Sequence, residues 1–319
     1  MKKWIKAARL RTLPLSISGI ILGTACAYPA YHNQDNFWWI FGLCLLTTLF
    51  FQVLSNYAND YGDAVKGTDN ENRVGPARAI QSGEITQKEM KKAIAITSFL
   101  SLISSIAVIY ASFGKENFVL AIVYLVLALA CIGAAIKYTV GSSAYGYRGL
   151  GDVFVFIFFG LVSTLGSYYL YGHQLDLKVL FPAIAVGLLS TAVLNMNNMR
   201  DIENDAAMGK NTLVVKMGFK KAKQYHFQLI LFSIIFINIF TINTFTTWYQ
   251  FLYVFAFIPL FKNIGIVSKA NNPRLLDPEL KRLSLTTFLI SLLIAIALIL
   301  NIFINENNLS WPCFFNDWN

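Results

Sequence analysis

Long apolar runs recur along the whole chain, and nearly all of the charge is gathered in the segments between them. Runs close to the roughly 20 residues that a helix needs to cross a bilayer predict nine spans, at 12–30, 37–56, 92–112, 117–137, 153–172, 178–197, 225–245, 248–268 and 283–304. The stretch from Leu285 to Ile304 is apolar on nearly all sides, whereas the strands of a membrane barrel would alternate polar and apolar residues. Helices are therefore the spanning element, and the predicted class is an all-α membrane protein. Apolar residues at 56% against 13% charged exclude an ordinary soluble enzyme.

Lys and Arg are retained on the cytoplasmic side of a membrane protein. With the N-terminus cytoplasmic, all 26 basic residues except Lys115 and Lys178 fall on inner segments. One span more or fewer would scramble that asymmetry. The same retention accounts for the +9 net charge, so no nucleic-acid partner is implied. The first thirty residues imitate a secretory leader, with a basic start, an apolar run and Ala25-Cys26-Ala27. They read better as the first span, since removing them would leave eight spans and place the new N-terminus outside. Cys26, Cys44, Cys131 and Cys313 have no paired spacing, and His32, His173 and His226 are scattered over both faces. No disulfide framework, zinc site or haem is expected.

Against this background two acidic motifs stand out. Asn56-x-x-x-Asp60-x-x-Asp63 follows the second span, and Asn197-x-x-x-Asp201-x-x-x-Asp205 follows the sixth. At 3.6 residues per turn, Asn56, Asn59, Asp60 and Asp63 share about a third of one helix's circumference; Asn197, Asn198, Asp201 and Asp205 share a similar arc. Any single Asp here would be an ordinary solvated helix end. Two phased sets, placed alike after their spans and on the same face, point instead to oxygen ligands for a hard divalent cation, Mg2+, that shares a diphosphate. The repetition also predicts one integral domain over 1–319, made of related four-helix halves at about 12–137 and 153–268 plus an extra helix at 283–304.

Basic side chains near the motifs are candidates for the diphosphate: Lys66, Arg73, Arg78, Lys137, Arg200 and Lys210. Arg73 and Arg78 lie on a Gly/Pro-bent loop suited to clamping phosphate oxygens. Gly67 shares the face of Asp63 and either ends the helix or leaves room for a ligand; Asp69 reaches the site only if the helix breaks there. Tyr57, Tyr61, Tyr138, Tyr145 and Tyr147 lie near the inner face, and aromatic rings lining a cavity could stabilise a cationic intermediate. The chemistry that fits is substitution at an allylic carbon with diphosphate leaving, in a setting that excludes water. A secondary transporter would carry ionisable groups near the membrane midplane and an odd number of spans per inverted half; none of the 17 acidic residues lies mid-span, and the halves here hold four.

These residues resemble the UbiA superfamily of intramembrane prenyltransferases, and within it the menaquinone branch that prenylates 1,4-dihydroxy-2-naphthoate. The resemblance runs through Ala8-Arg9-x-Arg11-Thr12-Leu13-Pro14, Asn59-Asp60-Tyr61-Gly62-Asp63-x-x-Lys66-Gly67-x-Asp69 and the loop from Arg73 to Gly83. It continues in Tyr138-Thr139-x-Gly141, Gly149-Leu150-Gly151-Asp152 and Asn197-Asn198-x-Arg200-Asp201-x-x-x-Asp205-x-x-x-Gly209-Lys210. It implies nine helices around a central cavity, Mg2+ dependence, and transfer of a polyprenyl group from polyprenyl diphosphate to the ring with loss of its carboxyl group as carbon dioxide. The retention of basic residues puts this site on the cytoplasmic side of the cell's inner membrane, and no obligate protein partner is inferred. By motif match, Asn59, Asp63, Asp201 and Asp205 are the metal–diphosphate residues, with Asp60 beside them. Siblings of the family that use 4-hydroxybenzoate or homogentisate are the alternative reading. Two departures are visible. Gly67 replaces the wider family's third Asp, and Ser142 and Ala144 stand where the branch often has proline.

Overall fold

Each predicted span is a helix, and on one side of the bundle the helices outrun the apolar sequence. The structure, a computed structural model, describes residues 2–9, 12–71, 73–244 and 246–306; Arg11, Cys313 and the last residue of the predicted seventh span lie outside these. A short helix α1 (Lys2–Ala8) precedes α2 (Leu13–Tyr31), α3 (Phe37–Val65), α4 (Gln87–Phe113), α5 (Phe118–Lys137), α6 (Gly151–Gly172) and α7 (Leu177–Arg200). Then come the short α8 (Ile202–Ala207), α9 (Leu213–Asn243), α10 (Trp248–Lys269) and α11 (Pro273–Glu306). Among the described residues nine helices are long and apolar enough to cross a membrane.

Hydropathy marks the bilayer, not the helix end. At the end rich in basic residues α3 runs on to Val65, α4 starts at Gln87 and α9 at Leu213, several residues beyond the apolar runs. Local capping supports these extensions. Thr86 and Glu89 form a reciprocal capping box at the start of α4, and Thr212 Oγ1 accepts from Val215 N at the start of α9 (3.2 Å). Inside α9 the helix breaks at Gly218, whose φ of 79° only glycine adopts at little cost.

Small residues let the central helices approach closely. A Cβ at Gly23 of α2 would meet Thr164 and Ser167 of α6, and one at Gly160 of α6 would strike the backbone of Ala183 and Gly187 on α7. In each half the second and third spans are long partners, α3 with α4 and α7 with α9, while α11 lies along α2. One stretch of α6, Phe156–Val162, is π-helical, a geometry found mostly beside functional sites. This stretch faces an internal cavity of about 420 Å3 lined by α2 to α7 and the start of α11. From Asp63 to Cys44, both lining residues on α3, the cavity extends roughly 28 Å at 1.5 Å per residue.

Candidate active site

The two acidic motifs meet at the basic end of this cavity. On one wall α3 stops at Val65, and Gly67 (φ 74°) turns the chain back so that Thr68 N donates to Asp63 O (2.9 Å). The helix therefore breaks where Asp69 needs it to, and Asp69 lines the cavity with Asn59 and Asp63. On the other wall α7 ends at Arg200 and α8 begins after Asp201, which leaves Asn197, Asp201 and Asp205 facing the same space. Asn204 ties the walls together by donating from Nδ2 to Thr68 O (2.9 Å). Lys210 Nζ stands between them, 3.6 Å from Asp63 Oδ2 and 3.8 Å from Asp205 Oδ1.

Arg200 is spent on shaping the second motif. Its Nε and Nη2 donate to both oxygens of Asp201 (3.0 and 2.6 Å), Nη2 also to Asn197 Oδ1 (2.9 Å), and Nη1 to Asp277 Oδ1 (2.6 Å). With its side chain 1% exposed and those donors engaged, it acts on a phosphate only through its carboxylate partners. Tyr147 does a comparable service for the first motif: its hydroxyl donates to Asp63 Oδ1 (2.7 Å) and contacts Thr68 Oγ1 (2.5 Å). Lys66 Nζ sits 3.8 Å above the Tyr147 ring, outside the cavity lining.

Charge is divided unevenly around the cavity. Arg9, Arg73 and Arg78 surround Asp60 and Asp69, whereas Lys210 is the ion-pair partner of Asp63 and Asp205. Burial raises Asp205 to about 7, with Lys210 opposing and the charges of Asp201 and Asp63 adding to the rise. Burial likewise lifts Asp69 to about 6, reinforced by Asp63 and opposed by Arg78 and Arg73. At Asp201 burial also pushes upward, but the hydrogen bonds and charge of Arg200 outweigh it and hold the carboxyl below its usual range. Asp69 Oδ1 is ion-paired with Arg73 Nε (3.2 Å) and Arg78 Nε (3.8 Å), while its Oδ2 and the Nε of Arg9 are buried without a hydrogen-bond partner. Polar atoms so stranded are costly unless a ligand completes them.

The donor set fits a hard divalent cation. It consists of Asn and Asp oxygens, with Lys210 set between Asp63 and Asp205 and Arg200 holding Asp201. Among the described residues no three His, Cys, Asp or Glu side chains form a metal-holding group by themselves.

Several sequence expectations are placed differently. Asn56 lines the cavity but spends its amide on Ala8 O (2.8 Å), whereas Asp60 is a buried counter-ion to Arg9 and Arg78, outside the cavity lining. Lys137 is exposed at the end of α5 and does not line the cavity, and Tyr61 packs toward α4 under Lys91. Tyr138 and Tyr145 do line it. Tyr145 stacks on Phe154 with centroids 3.9 Å apart, and its hydroxyl donates to Ala134 O (2.8 Å). Sequence reasoning missed Arg9, Asn204 and Asp277 as members of the site. Arg9 stood in a quoted motif, but Asp277 had no signal beyond its place before the ninth span.

An all-helical membrane bundle with two facing Asn/Asp walls, a cluster of cations and a long apolar cavity defines an intramembrane enzyme acting on a lipid-like diphosphate. The chain belongs to the UbiA prenyltransferase family, whose profile matches residues 20–276. It is 42% identical over 300 residues to 1,4-dihydroxy-2-naphthoate octaprenyltransferase of Haemophilus influenzae, covering 94% of this chain and 96% of that one. The enzyme of the same name from Escherichia coli K12 is also 42% identical, over 93% and 95%. In fold, the chain is similar to a UbiA homologue from Archaeoglobus fulgidus bound to DMAPP and Mg2+ (TM-score 0.62, 17% identity, 93% and 99% coverage).

Proposed function

We propose that this chain transfers a polyprenyl group from polyprenyl diphosphate to 1,4-dihydroxy-2-naphthoate, releasing diphosphate and carbon dioxide and yielding demethylmenaquinol, the reduced form of demethylmenaquinone. The observation that carries the chemistry is the facing of Asn59 and Asp63 with Asn197, Asp201 and Asp205 across one cavity. The relatives that share 42% of their residues over nearly the whole chain support the choice of acceptor.

Asn59, Asp63, Asn197, Asp201 and Asp205 would hold Mg2+, which when bound neutralises the diphosphate and favours its departure. Arg200 fixes Asn197 and Asp201, and Tyr147 fixes Asp63, so the oxygens stand ready before substrate arrives. Lys210, Arg73 and Arg78 take up the negative charge that grows on the bridging oxygen as the carbon–oxygen bond ionises. Above this charged end, Phe154, Phe158, Phe159 and Tyr138 line the cavity and exclude water. Their ring faces stabilise an allylic cation until the electron-rich ring captures it. The apolar reach from there to Cys44 accommodates the prenyl tail. The site faces the cytoplasm from a cell inner membrane, a reading supported by the retention of basic residues at this end.

The test is turnover by purified protein with Mg2+, a polyprenyl diphosphate and a panel of aromatic acceptors. Stoichiometric release of carbon dioxide with the naphthoate supports the proposal. Turnover of 4-hydroxybenzoate or homogentisate with none of the naphthoate would keep the chemistry and reject the acceptor.

A further inference from the structure

A second polar surface lines the cavity, and the metal–diphosphate chemistry leaves it unused. Thr12 and Ser16 of the α2 side and Gln52 and Ser55 of α3 line the cavity beside Arg9. Along α3, Ser55 and Gln52 lie roughly 12 and 16 Å deeper than Asp63 at 1.5 Å per residue. This wall offers hydroxyl and amide groups and no carboxylate, whereas the carboxylates gather on the Asp63–Asp205 side.

Arg9 is held there under strain. Its φ of 53° lies in the left-handed region, which a residue with a Cβ enters at a cost of about 1 kcal/mol or more. The neighbouring chain enforces it: Asn56 Nδ2 donates to Ala8 O (2.8 Å), Tyr57 Oη to Trp4 O (3.3 Å), and Thr12 N to Arg9 O (2.9 Å). Gln52 Nε2 donates to Thr12 Oγ1 (3.2 Å). The side chain is 13% exposed and lines the cavity, with Nη2 on Asp60 and a buried Nε that has no partner. Arg78 shares Asp60 from 3.7 Å and lies 3.8 Å from Asp69, so Arg9 holds Asp60 in company with a second guanidinium group.

A guanidinium with an unmet donor, beside hydroxyls and amides on the wall that adjoins Asp63, suits a planar anion that carries hydroxyl groups. We infer that Arg9 recognises the carboxylate of the aromatic acceptor, with Gln52 and Ser55 presented to its ring hydroxyls. This assignment rests on the proposed function, in which the acceptor is a hydroxylated aromatic acid.

Its test uses 1-hydroxy-2-naphthoate and the uncharged methyl ester of that acid as competitive inhibitors of the full-length enzyme. In Arg9→Gln, Ki for the acid is expected to weaken about 10- to 100-fold, the worth of a charge-assisted hydrogen bond. Ki for the ester and KM for polyprenyl diphosphate should stay within about twofold. Arg9→Lys should recover part of the loss for the acid, which separates recognition from a failure to fold. A rise in KM for the diphosphate with the acid's Ki unchanged, or equal weakening of acid and ester, overturns the assignment. If wild-type protein turns over no hydroxylated aromatic acid while prenylating another class of acceptor, the proposed function fails instead.

Discussion

Replacing Arg200 by lysine separates two roles that the sequence alone left combined. Three guanidinium nitrogens engage Asn197, Asp201 and Asp277, at 2.6 to 3.0 Å, in a side chain that is 1% exposed. Lysine keeps the charge but loses the bidentate fork on Asp201, and it cannot reach all three partners from one planar group. Breaking a buried ion pair outright costs roughly 3–5 kcal/mol, so keeping the charge while losing the fork should cost about 2–3 kcal/mol. For a chain of this size that corresponds to a Tm lower by roughly 3–5 °C. Asn197 and Asp201 lose their fixed orientation at the same time. The concentration of Mg2+ needed for half-maximal activity should therefore rise about tenfold, while KM for polyprenyl diphosphate at saturating Mg2+ stays unchanged. Thermal unfolding in detergent and a two-way titration of metal and diphosphate provide the readouts. A variant of unchanged Tm whose KM for the diphosphate rises would show that Arg200 binds phosphate directly and would refute the positioning role. In a double-mutant cycle with Asp277→Asn, the coupling should exceed about 0.5 kcal/mol, since the two side chains share a 2.6 Å bond.

Further predictions follow from the same geometry. Asp63→Ala and Asp201→Ala should each abolish prenyl transfer while leaving a folded, membrane-inserted protein, checked by product formation and gel filtration; wild-type rates at limiting Mg2+ in either would exclude it from the metal site. Tyr147→Phe removes one hydrogen bond to Asp63 and should lower kcat/KM by about 3- to 30-fold, with partial recovery at high Mg2+. Asp205 is raised by burial from 3.8 to about 7, so in the metal-free protein it holds a proton that Mg2+ must displace. The Mg2+ requirement should then increase roughly eightfold as pH falls from 7.5 to 6. Between its ordinary and raised values the folded state keeps a proton that the unfolded chain has lost. Metal-free stability therefore falls as pH rises through that window, and stabilisation by Mg2+ is greatest above it. Gly67→Ala forces a Cβ into a left-handed residue and against Met208 Cε at 3.3 Å; it should cost about 1–2 kcal/mol and weaken Asp69's place in the cavity, read as a lower Tm and lower activity.

The bilayer made the spans legible, since only long apolar helices meet its thickness. Where those helices end was less legible, because capping groups such as Thr86 and Glu89, not hydropathy, carry them onward. At the site, helical phasing gathered Asn56, Asn59, Asp60 and Asp63 onto one arc but could not divide it. On that arc Asn56, Asn59 and Asp63 line the cavity, although Asn56 spends its amide on Ala8 O, and Asp60 is turned away from it onto Arg9. The difference is tertiary: it depends on where α1 packs, which no local period encodes. Asp69 depended on a break that Gly67 permits and the loop enforces. Lys137 and Arg200 show why basic residues near an acidic motif are ambiguous in sequence, since one is solvated and the other is consumed by carboxylates.

The central claim is that both acidic motifs form a single site completed by the diphosphate. Calorimetric titration of Mn2+ into the protein, with and without a non-hydrolysable prenyl thiodiphosphate, tests it most directly. The account predicts weak metal binding alone, strong binding with the analogue, and loss of that enhancement in Asp63→Asn and in Asp201→Asn taken singly. Enhancement that survives in either variant would contradict it.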